Sequence, residues 1–458
     1  MIECLITAPQ SGGGKTVMTC ALLAALQQQG VAPCAFKCGP DYIDPMFHRA
    51  VLGIESHNLD LFLASETDVR QLFARYAAGH GAAVCEGVMG FYDGIGGTTT
   101  RASAWHLADT LDLPVLLVLR PKGASLTLAA TVRGLRDFRT NSHLAGILLN
   151  DCKPMLYQSL APMLERETGL PVLGYLPPMA EAKFQSRHLG LYTAGEIADL
   201  NKRIDALGKQ AQKTLDLPGI RKLCSRPVLV SEKEKQPVPS RVRIAVAQDE
   251  AFCFCYEETL DALRQAGAEP VFFSPLRDAA LPRNCSGLYL PGGYPELYAR
   301  ELSRNEKMRI AVKQVLQQGL PAVAECGGFL YLGQTLEDVQ GVSWPMAGAL
   351  PGKGIRTEHV VRFGYAELKA QQDSMLFRAG ETVPIHAFHY WDSTYNGDAC
   401  TASKPVGKRS WKCGIATDRL FASFAHLYMA GTPQLAQRFA AAAEQYEREQ
   451  SLCQNRKN

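Results

Sequence analysis

The chain has 458 residues, of which 47% are apolar and 20% charged, and its formal net charge is +3. These values are typical of a globular protein of two or three domains, each large enough to bury a core. The small charge gives no reason to expect nucleic acid or an anionic membrane as partner. No apolar stretch reaches the roughly 18 residues of a membrane span. The fourteen cysteines are irregularly spaced, and we expect them to be reduced thiols of a cytoplasmic protein.

In the first half of the chain, short apolar runs alternate with helical patterns such as that of residues 17–28. This alternation predicts parallel α/β units. The expected strands are 4–8, 35–37, 83–86, 115–119 and 146–150.

A second β-α pattern starts at 243–247 and continues with a predicted helix at 257–265 and a predicted strand at 270–273. Proline and charge enrichment before it predicts an exposed linker. We therefore expect four parts: a domain at 1–224, a linker at 225–240, a second domain at 241–447 and a polar tail at 448–458.

A glycine-rich loop separates the first predicted strand from the first predicted helix. It consists of Ser11, Gly12, Gly13, Gly14, Lys15 and Thr16. Glycines let backbone N–H groups approach phosphate oxygens, and the helix start adds a favourable dipole. Lys15 is placed to reach the outer phosphates of a nucleotide, and Thr16 to bind Mg²⁺. The simpler alternative is a glycine turn that only caps the helix.

Three carboxylates follow predicted strands. Asp41 and Asp44 come after the second predicted strand, and Glu86 ends the third. Ligands of open α/β sheets bind at the carboxyl ends of strands, where carboxylate oxygens can hold Mg²⁺. The alternative is that each carboxylate caps a turn or a helix.

Cys326 follows a short predicted strand and precedes two glycines and a helical pattern. This layout is typical of a nucleophile elbow, in which the next N–H, that of Gly327, helps to stabilise an oxyanion. Gly293, in a glycine turn after another strand, is the candidate for the second oxyanion N–H. We expect the helix N-terminus to lower the pKa of the Cys326 thiol. The alternative is a buried structural cysteine.

A nucleophilic thiol needs a base. By residue type the candidates are His359, His386, His389 and His426. His426 lies in a strand-like run 100 positions after Cys326, although a core histidine without a catalytic role would fit the same pattern.

These motifs together resemble the cobyrinate and hydrogenobyrinate a,c-diamide synthase family of corrin biosynthesis. The resemblance runs nearly end to end, and the segments keep the order that the family has. The matching segments are SGGGKT (11–16), KCGPDYIDP (37–45), NLD (58–60), EGVMGFYDG (86–94), SRHLGL (186–191), AF (251–252), FSPL (273–276), GGYPE (292–296) and AECGG (324–328).

The resemblance implies an α/β fold: an N-terminal P-loop, dethiobiotin-synthetase-like ATP domain and a C-terminal class I glutamine amidotransferase domain. It implies ATP-dependent amidation of two carboxylates of cobyrinate with ammonia from glutamine, and the use of ATP and Mg²⁺. It assigns Cys326 as nucleophile, His426 as its base, Lys15 and Thr16 as phosphate and Mg²⁺ contacts, Asn150 as an adenine contact, and Asp41, Tyr42, Ile43, Asp44 and Glu86 to Mg²⁺, carboxylate activation and regiochemical order.

The chain departs from the family pattern in four places. Arg120 stands where an aspartate is usual after a strand, and Ala387 replaces the glutamate of a G-H-E-F-H motif, whose glycine is also missing. Tyr428 replaces the second histidine of H-L-H-F, and residues 9–10 interrupt the approach to the phosphate loop. None of them removes the nucleophile, its base or the loop lysine.

Two readings of function compete with this one. Hydrogenobyrinate or nickel-sirohydrochlorin could replace cobyrinate in the same chemistry. A homologue of another class, which binds nucleotide or tetrapyrrole without catalysis, is motivated by Ala387 and Tyr428 and opposed by the intact Cys326 and Lys15. The oligomeric state stays open, with a homodimer as one option.

Overall fold

The computed structural model describes residues 1–181, 194–227 and 238–455. The chain divides into two compact units, residues 1–234 and 235–458. The SRHLGL segment at 186–191 and most of the predicted linker lie outside the described residues. The predicted linker begins with residues that pair with the first strand, since Ser225 forms a bridge with Ile2 and the Arg226 carbonyl accepts from the Met1 amino group at 3.0 Å.

The first unit is built on one seven-stranded parallel sheet. Its strands are β1 (Ile2–Thr7), β2 (Pro33–Cys38), β3 (Ser56–Leu59), β4 (Ala82–Glu86), β5 (Val115–Leu119), β6 (Leu144–Leu149) and β7 (Val172–Tyr175). They lie in the order β3-β2-β4-β1-β5-β6-β7, with every neighbouring pair parallel. The strand residues are almost all buried, as expected for a parallel sheet.

Helices connect these strands. They are α1 (Lys15–Gln28), α2 (Ile43–Phe47), α3 (Glu66–Ala77), α4 (Ala104–Leu111), α5 (Leu126–Asp137), α6 (Pro154–Thr168), α7 (Ala194–Thr214) and α8 (Leu217–Cys224), with a π-helical turn at His48–Leu52 and a 3-10 turn at Ile95–Gly97. Helices α1, α7 and α8 share one apolar core with the sheet. The α1 and α7 backbones approach closely, because a Cβ at Gly208 would lie 2.8 Å from that of Ala24.

All five strands expected in this unit are present, but two further strands were missed. β3 has the sequence Ser-His-Asn-Leu, whose polar side chains hide a buried strand from a hydrophobicity pattern. β7 has only four residues, one of them glycine. Glu86 therefore ends the fourth strand rather than the third, and Asn150 follows the sixth.

The described residues of the second unit, 238–455, form three sheets. Its strands are β8 (Val242–Ala247), β9 (Ala268–Phe273), β10 (Gly287–Leu290), β11 (Ala322–Glu325), β12 (Thr335–Glu337), β13 (Ser343–Pro345), β14 (Lys353–Arg356), β15 (Arg362–Ala370), β16 (Thr382–His389), β17 (Trp391–Ser393), β18 (Cys400–Ser403), β19 (Ser410–Cys413), β20 (Ile415–Ala416), β21 (Leu420–Ser423) and β22 (His426–Leu427). The central sheet has the order β20-β21-β11-β10-β8-β9 and is parallel except for β20. The other two have the orders β13-β12-β14-β17 and β19-β18-β15-β16-β22.

The helices of the second unit are α9 (Glu257–Gln265), α10 (Ala299–Arg304), α11 (Glu306–Gln317), α12 (Gly327–Leu332) and α13 (Pro433–Asn455), with a 3-10 turn at Pro295–Leu297. Helix α13 continues into the predicted polar tail, as far as Asn455. Glu449 explains part of this extension, since both its oxygens accept from Arg419, at 2.8 and 2.7 Å. None of the helices in the described ranges combines the length and apolar character of a bilayer crossing.

We expect the α1–α7 contact to stabilise the first unit. Leu207 lies fully buried on α7, so its truncation leaves a cavity. Leu207→Ala should lower the free energy of unfolding of this unit by about 2–5 kcal/mol. Leu223→Ala, at a 39% exposed position of α8, is the control and should change it by no more than about 0.5 kcal/mol. Urea unfolding followed by circular dichroism tests both, and equal losses would contradict the packing.

Candidate active sites

The glycine-rich loop joins β1 to α1 in the first unit. Gly12 and Gly14 adopt φ values of +75° and +96°, in the left-handed region that favours glycine. Lys15 is the first residue of α1, and its side chain is largely buried. Its ammonium donates to the carbonyls of Met89 at 2.5 Å and Gln10 at 3.3 Å, so it is held over the loop.

Asn150, directly after β6, packs against this loop. A Cβ built on Gly14 would lie 1.9 Å from Asn150 Nδ2, so no side chain fits between them. The structure thus brings together Asn150 and the loop, two features that lie more than 130 positions apart in sequence. The contact of Asn150 with adenine stays a prediction.

A buried lysine joins the carboxylates at the ends of β2 and β4. Lys37 Nζ lies 2.5 Å from Asp44 Oδ2, 2.9 Å from Glu86 Oε1 and 4.0 Å from Asp41 Oδ2. Thr16 donates to the same Glu86 oxygen at 2.6 Å. We call Lys37, Asp41, Asp44 and Glu86 the lysine–carboxylate cluster; through Thr16 it is linked to the phosphate loop.

Burial and charge set the protonation of this cluster. Burial raises the pKa of Glu86 to about 7, and Lys37 opposes that shift. Burial disfavours the charged Lys37, but Glu86 and Asp44 outweigh it and hold the pKa of Lys37 well above its usual value. For Asp44, burial is outweighed by Lys37, and the pKa is lowered. Burial and the neighbouring Lys37 lower the pKa of Lys15.

Asp41 also has the structural role that the sequence left open. Its Oδ1 accepts from the backbone N–H of Ile43 at 2.8 Å and of Asp44 at 3.3 Å, at the start of α2. Burial and Asp44 raise the pKa of Asp41. Tyr42 is buried in the same turn, and Asn58 donates to the Asp41 carbonyl at 2.7 Å. The turn is therefore held in place from β3.

The second oxygen of Glu86 is the observation most relevant to a cation. Glu86 Oε2 is buried and has no hydrogen-bond partner within the described residues, with His48 Nε2 at 3.9 Å. His48 belongs to the π-helical turn and is bonded at Nδ1 to Ser56 Oγ at 3.1 Å. An orphaned carboxylate oxygen beside a threonine hydroxyl suits the oxygen preference of Mg²⁺. Within the described ranges, no three His, Cys, Asp or Glu side chains are arranged so that they alone could hold a metal ion.

Arg120, the departure after β5, forms a local ion pair. Its guanidinium donates to Asp151 Oδ2, from Nε at 2.8 Å and also from Nη2. Asp151 directly follows Asn150, so Arg120 places a cation beside the residue that packs on the loop.

In the second unit, Cys326 sits at the junction of β11 and α12. Its φ of 46° and ψ of −102° are strained for a residue with a side chain, at a typical cost of about 1–3 kcal/mol. The Cys326 N–H donates to the Ser423 carbonyl at 2.7 Å, and Gly328 N–H donates to Pro291 at 3.1 Å. The sharp turn between strand and helix is that of the predicted nucleophile elbow.

The expectation of a lowered thiol pKa is wrong. Cys326 is only 6% exposed, and burial, followed by the charge of Glu296, raises its pKa well above the ordinary value. Helix α12, whose N-terminus was expected to lower this pKa, has only six residues. The resting side chain is a neutral thiol that needs a base at the moment of attack.

His426, the first residue of β22, is buried and neutral. Burial and the nearby His386 and His389 lower its pKa to about 3, so its imidazole is unprotonated at neutral pH. Its Nδ1 lies 3.8 Å from Glu325 Oε2. Because β11 pairs with β21, and Cys326 is bonded to Ser423, the base and the nucleophile come to the same edge of the central sheet.

The glycine turn after β10 lies against both residues. A Cβ on Gly292 would come within 2.4 Å of His426 Cε1, and one on Gly327 would lie 3.1 Å from the Gly293 nitrogen. A Cβ on Gly293 would lie 2.1 Å from the Ala251 carbonyl oxygen, so glycine is required there. The two predicted oxyanion residues are therefore neighbours, and their role stays a prediction.

The other three candidate histidines differ clearly in their surroundings. His359 is exposed in a loop, whereas His389 is bonded through Nδ1 to the Trp391 carbonyl at 2.6 Å and stacks on Phe424. His386 pairs in register with His426, with ring centroids 6.4 Å apart. The departures nearby fill core positions: Ala387 is buried, and Tyr428 packs edge-on against Tyr256 at 5.1 Å.

Two buried charged residues that the structure places at the two sites were absent from the prediction. Lys37 ends an apolar run in a predicted strand, and Glu325 interrupts another directly before Cys326. A charged residue is rarely buried unless it is paired. That rule, applied to the predicted buried strands, is the signal that would have found both.

We expect Gly14→Ala to weaken ATP binding at least about tenfold more than Gly12→Ala. Both substitutions force a side chain into left-handed backbone, at about 1–2 kcal/mol each. Only at position 14 does the new Cβ displace Asn150, since nothing lies within 4 Å of one on Gly12. Calorimetric titration with ATP measures the difference, and equal losses would show that Asn150 is not part of the nucleotide site.

Models of known protein families match both units of the chain. Residues 4–191 match the family model of the CobQ/CobB/MinD/ParA nucleotide binding domain, and residues 243–434 that of the CobB/CobQ-like glutamine amidotransferase domain. The solved structure of PurLQS from Thermotoga maritima covers 45% of this chain and 98% of its own, with 18% identity and a TM-score of 0.33, too low to carry an argument.

Curated relatives match along almost the whole chain. Cobyrinate a,c-diamide synthase of Caldanaerobacter subterraneus is 36% identical over 92% of this chain and 94% of the relative. The protein of that name from Salmonella typhimurium is 38% identical over 96% of this chain and 97% of the relative. Identity at this level over nearly full length, with the two sites described above, leads to one conclusion: the chain belongs to the cobyrinate a,c-diamide synthase family.

Proposed function

We propose that the chain amidates the a and c side-chain carboxylates of cobyrinate, using ATP for activation and glutamine as the nitrogen source. The observation that carries this proposal is the presence of two sites in one chain: a phosphate loop tied to a lysine–carboxylate cluster, and a strained Cys326 with a neutral His426 at the same edge of the central sheet. One site suits phosphoryl transfer and the other suits amide hydrolysis.

In the first unit, a carboxylate of the substrate attacks the γ-phosphate of ATP. Activation is required because a carboxylate is a poor electrophile. Lys15 at the start of α1 neutralises the charge of the transferring phosphoryl group, and Asn150 supports the nucleotide from β6. Ammonia then displaces phosphate from the acyl phosphate and forms the amide.

Mg²⁺ is proposed as the metal of this unit, with Thr16, Asp44 and Glu86 as the residues that would hold it. The orphaned Glu86 Oε2 and the Thr16 hydroxyl provide suitable oxygen donors. When bound, the ion supplies positive charge to the phosphate oxygens. Lys37 meanwhile keeps the cluster neutral enough to remain buried.

In the second unit, the Cys326 sulfur attacks the side-chain amide of glutamine while His426 takes the thiol proton. The same proton is then given to the leaving ammonia. Because the thiol and the imidazole are both neutral at rest, proton transfer accompanies the attack rather than preceding it. The N–H groups of Gly293 and Gly327 are placed to stabilise the oxyanion.

The setting of this chemistry is proposed to be the cytoplasm, where thiols such as Cys326 stay reduced. The partners are small molecules, namely the corrinoid, ATP and glutamine, and the chain acts as a monomer or a homodimer. Hydrogenobyrinate and nickel-sirohydrochlorin are the competing substrates. A panel of these compounds with ATP and glutamine, read by mass for added amides, distinguishes them and also exposes a homologue without catalysis.

We expect Cys326→Ala to abolish glutamine-dependent amidation and to spare amidation driven by added ammonia. The thiol acts in nitrogen release alone, and its loss leaves the first unit intact. Amide formation followed by mass spectrometry with each nitrogen donor measures the effect. Loss of both activities in a folded variant would refute this division of labour.

Lys15→Ala is the complementary change. It should lower ATP-dependent synthesis by orders of magnitude with either nitrogen donor, because the charge on the transferring phosphoryl group is no longer neutralised. Labelling of Cys326 by a reactive glutamine analogue should persist. Near-normal synthesis would show that the loop is only structural.

The turn that contains Tyr42 and Asp44 is expected to govern the order of the two amidations. One phosphate loop serves two carboxylates, so a monoamide must be released and rebound or turned in place. A change of about 1.4 kcal/mol between the two poses alters the preference tenfold. Substitution of Tyr42 or Asp44 should make the monoamide accumulate, with little change in glutaminase turnover. A mass-resolved time course insensitive to both positions would contradict this role.

A further inference from the structure

An ion pair joins the ends of two neighbouring strands in the first unit. Arg120 directly follows β5, and Asp151 is the second residue after β6. The Arg120 guanidinium donates to Asp151 Oδ2 from Nε at 2.8 Å and also from Nη2, so two donors hold one carboxylate oxygen. The two strands pair in parallel, with Leu119 opposite Leu149. The ion pair therefore stands at the carboxyl edge of the sheet, where open α/β sheets bind their ligands.

The turn that contains Asp151 has an unusual backbone. Asp151 adopts a φ of +55°, in the left-handed region, which aspartate tolerates better than most residues. Before it, the Asn150 N–H donates to the Leu119 carbonyl at 2.8 Å, and after it, the Cys152 N–H donates to the Leu176 carbonyl at 3.0 Å. The backbone is thus bonded on both sides of Asp151, and the ion pair holds the side chain between these two bonds.

Asn150 is the residue whose direction this turn sets. It is 9% exposed, and its amide packs so closely on the phosphate loop that a Cβ on Gly14 would lie 1.9 Å from Nδ2 and 2.7 Å from Cγ. Because the contact is so close, a small rotation of the following residue is enough to move the amide away from the loop. The conformation of Asp151 therefore decides where the Asn150 amide points.

Stability alone does not account for the ion pair. The Arg120 and Asp151 side chains are 43% and 32% exposed, and exposed ion pairs of this kind add little to the free energy of unfolding. The geometry is nevertheless specific, because a guanidinium with two donors on one oxygen restricts the carboxylate more than a single contact would. The ion pair thus fits a role in placement, next to a residue that is proposed to support the nucleotide.

We propose that Arg120 and Asp151 are positioning residues for Asn150: their ion pair holds the turn after β6 and directs the Asn150 amide to the base of ATP. The pair does not touch the reacting atoms, and no covalent step is added. This role deepens the proposed ATP site and rests on the proposed function.

Two properties separate this role from a direct attraction of Arg120 to phosphate. An ion pair that acts through Asn150 affects a ligand with a base and spares inorganic tripolyphosphate, which has none. A lone Arg120 cation would affect both ligands, whether or not Asp151 is charged. Because Lys15 and Thr16 stay in place, the KM for ATP should rise in variants of the pair, while kcat of ammonia-dependent amidation stays within about threefold of the parent.

The test is a double-mutant cycle in the full chain, with Arg120→Met, Asp151→Asn and the double variant. Asparagine tolerates left-handed backbone, so Asp151→Asn removes the charge and keeps the turn. Calorimetric titration should show ATP bound about 5–10-fold more weakly in each single variant, and by about the same factor in the double variant. Binding of tripolyphosphate should change less than about twofold in all three. Losses that multiply in the double variant, or equal losses of both ligands, would overturn the proposal.

Two further variants and the parent chain complete the test. Arg120→Lys keeps the charge and should bind ATP within about threefold of the parent; a loss as large as that of Arg120→Met would overturn the role of the ion pair. Arg166→Met removes an exposed pair of α6, in which Arg166 Nη2 lies 2.9 Å from Glu167 Oε1, and should match the parent. A comparable loss in this control would assign the effect to surface charge and overturn the proposal. A parent chain that binds no ATP would refute the proposed function and this role with it, whereas multiplied losses in a parent that binds ATP would overturn this role alone.

Discussion

The synthetase unit depends on one buried cation. Lys37 is the last residue but one of β2, where most side chains are apolar, and its Nζ lies 2.5 Å from Asp44 Oδ2 and 2.9 Å from Glu86 Oε1. Without it, the buried Glu86 and the partly buried Asp41 and Asp44 would repel one another, with no cation to offset the hydration they have lost. With it, the ends of β2 and β4, the α2 turn and, through Thr16, the phosphate loop are held in one network. Buried pairs add little net stability, so the value of this cluster lies in positioning.

In the glutaminase unit, by contrast, the thiol of Cys326 is held in an environment where it is a very weak acid. At Cys326 the strained turn directs the side chain, and burial keeps its thiol un-ionised. Reactivity then rests on the imidazole of His426, kept neutral by the same burial. The two units thus use burial in opposite ways. In the first it strengthens the attraction between Lys37 and its carboxylates, and in the second it keeps Cys326 and His426 neutral.

The sequence predicted the fold class and the residues with local signatures. A glycine loop before a helix and a cysteine between a strand and two glycines are short-range patterns, and Lys15 and Cys326 lie where they place them. The sequence did not reveal the features that depend on tertiary contacts. β3 is buried through hydrogen bonds of polar residues such as Asn58, which no hydrophobicity pattern can show. The partners of Lys37 and Glu325, and the direction of the Cys326 pKa, follow from burial, which the residue types alone do not state.

The central claim, that Lys37 neutralises buried carboxylates which form the synthetase site, is tested most directly by a double-mutant cycle on unfolding. Lys37→Met alone leaves the carboxylates unpaired and should destabilise the first unit by about 3–5 kcal/mol. Adding Glu86→Gln removes one of the uncompensated charges, so the double variant should be more stable than the sum of the two single changes predicts, by at least about 1 kcal/mol. Strict additivity of the two unfolding free energies would contradict the account.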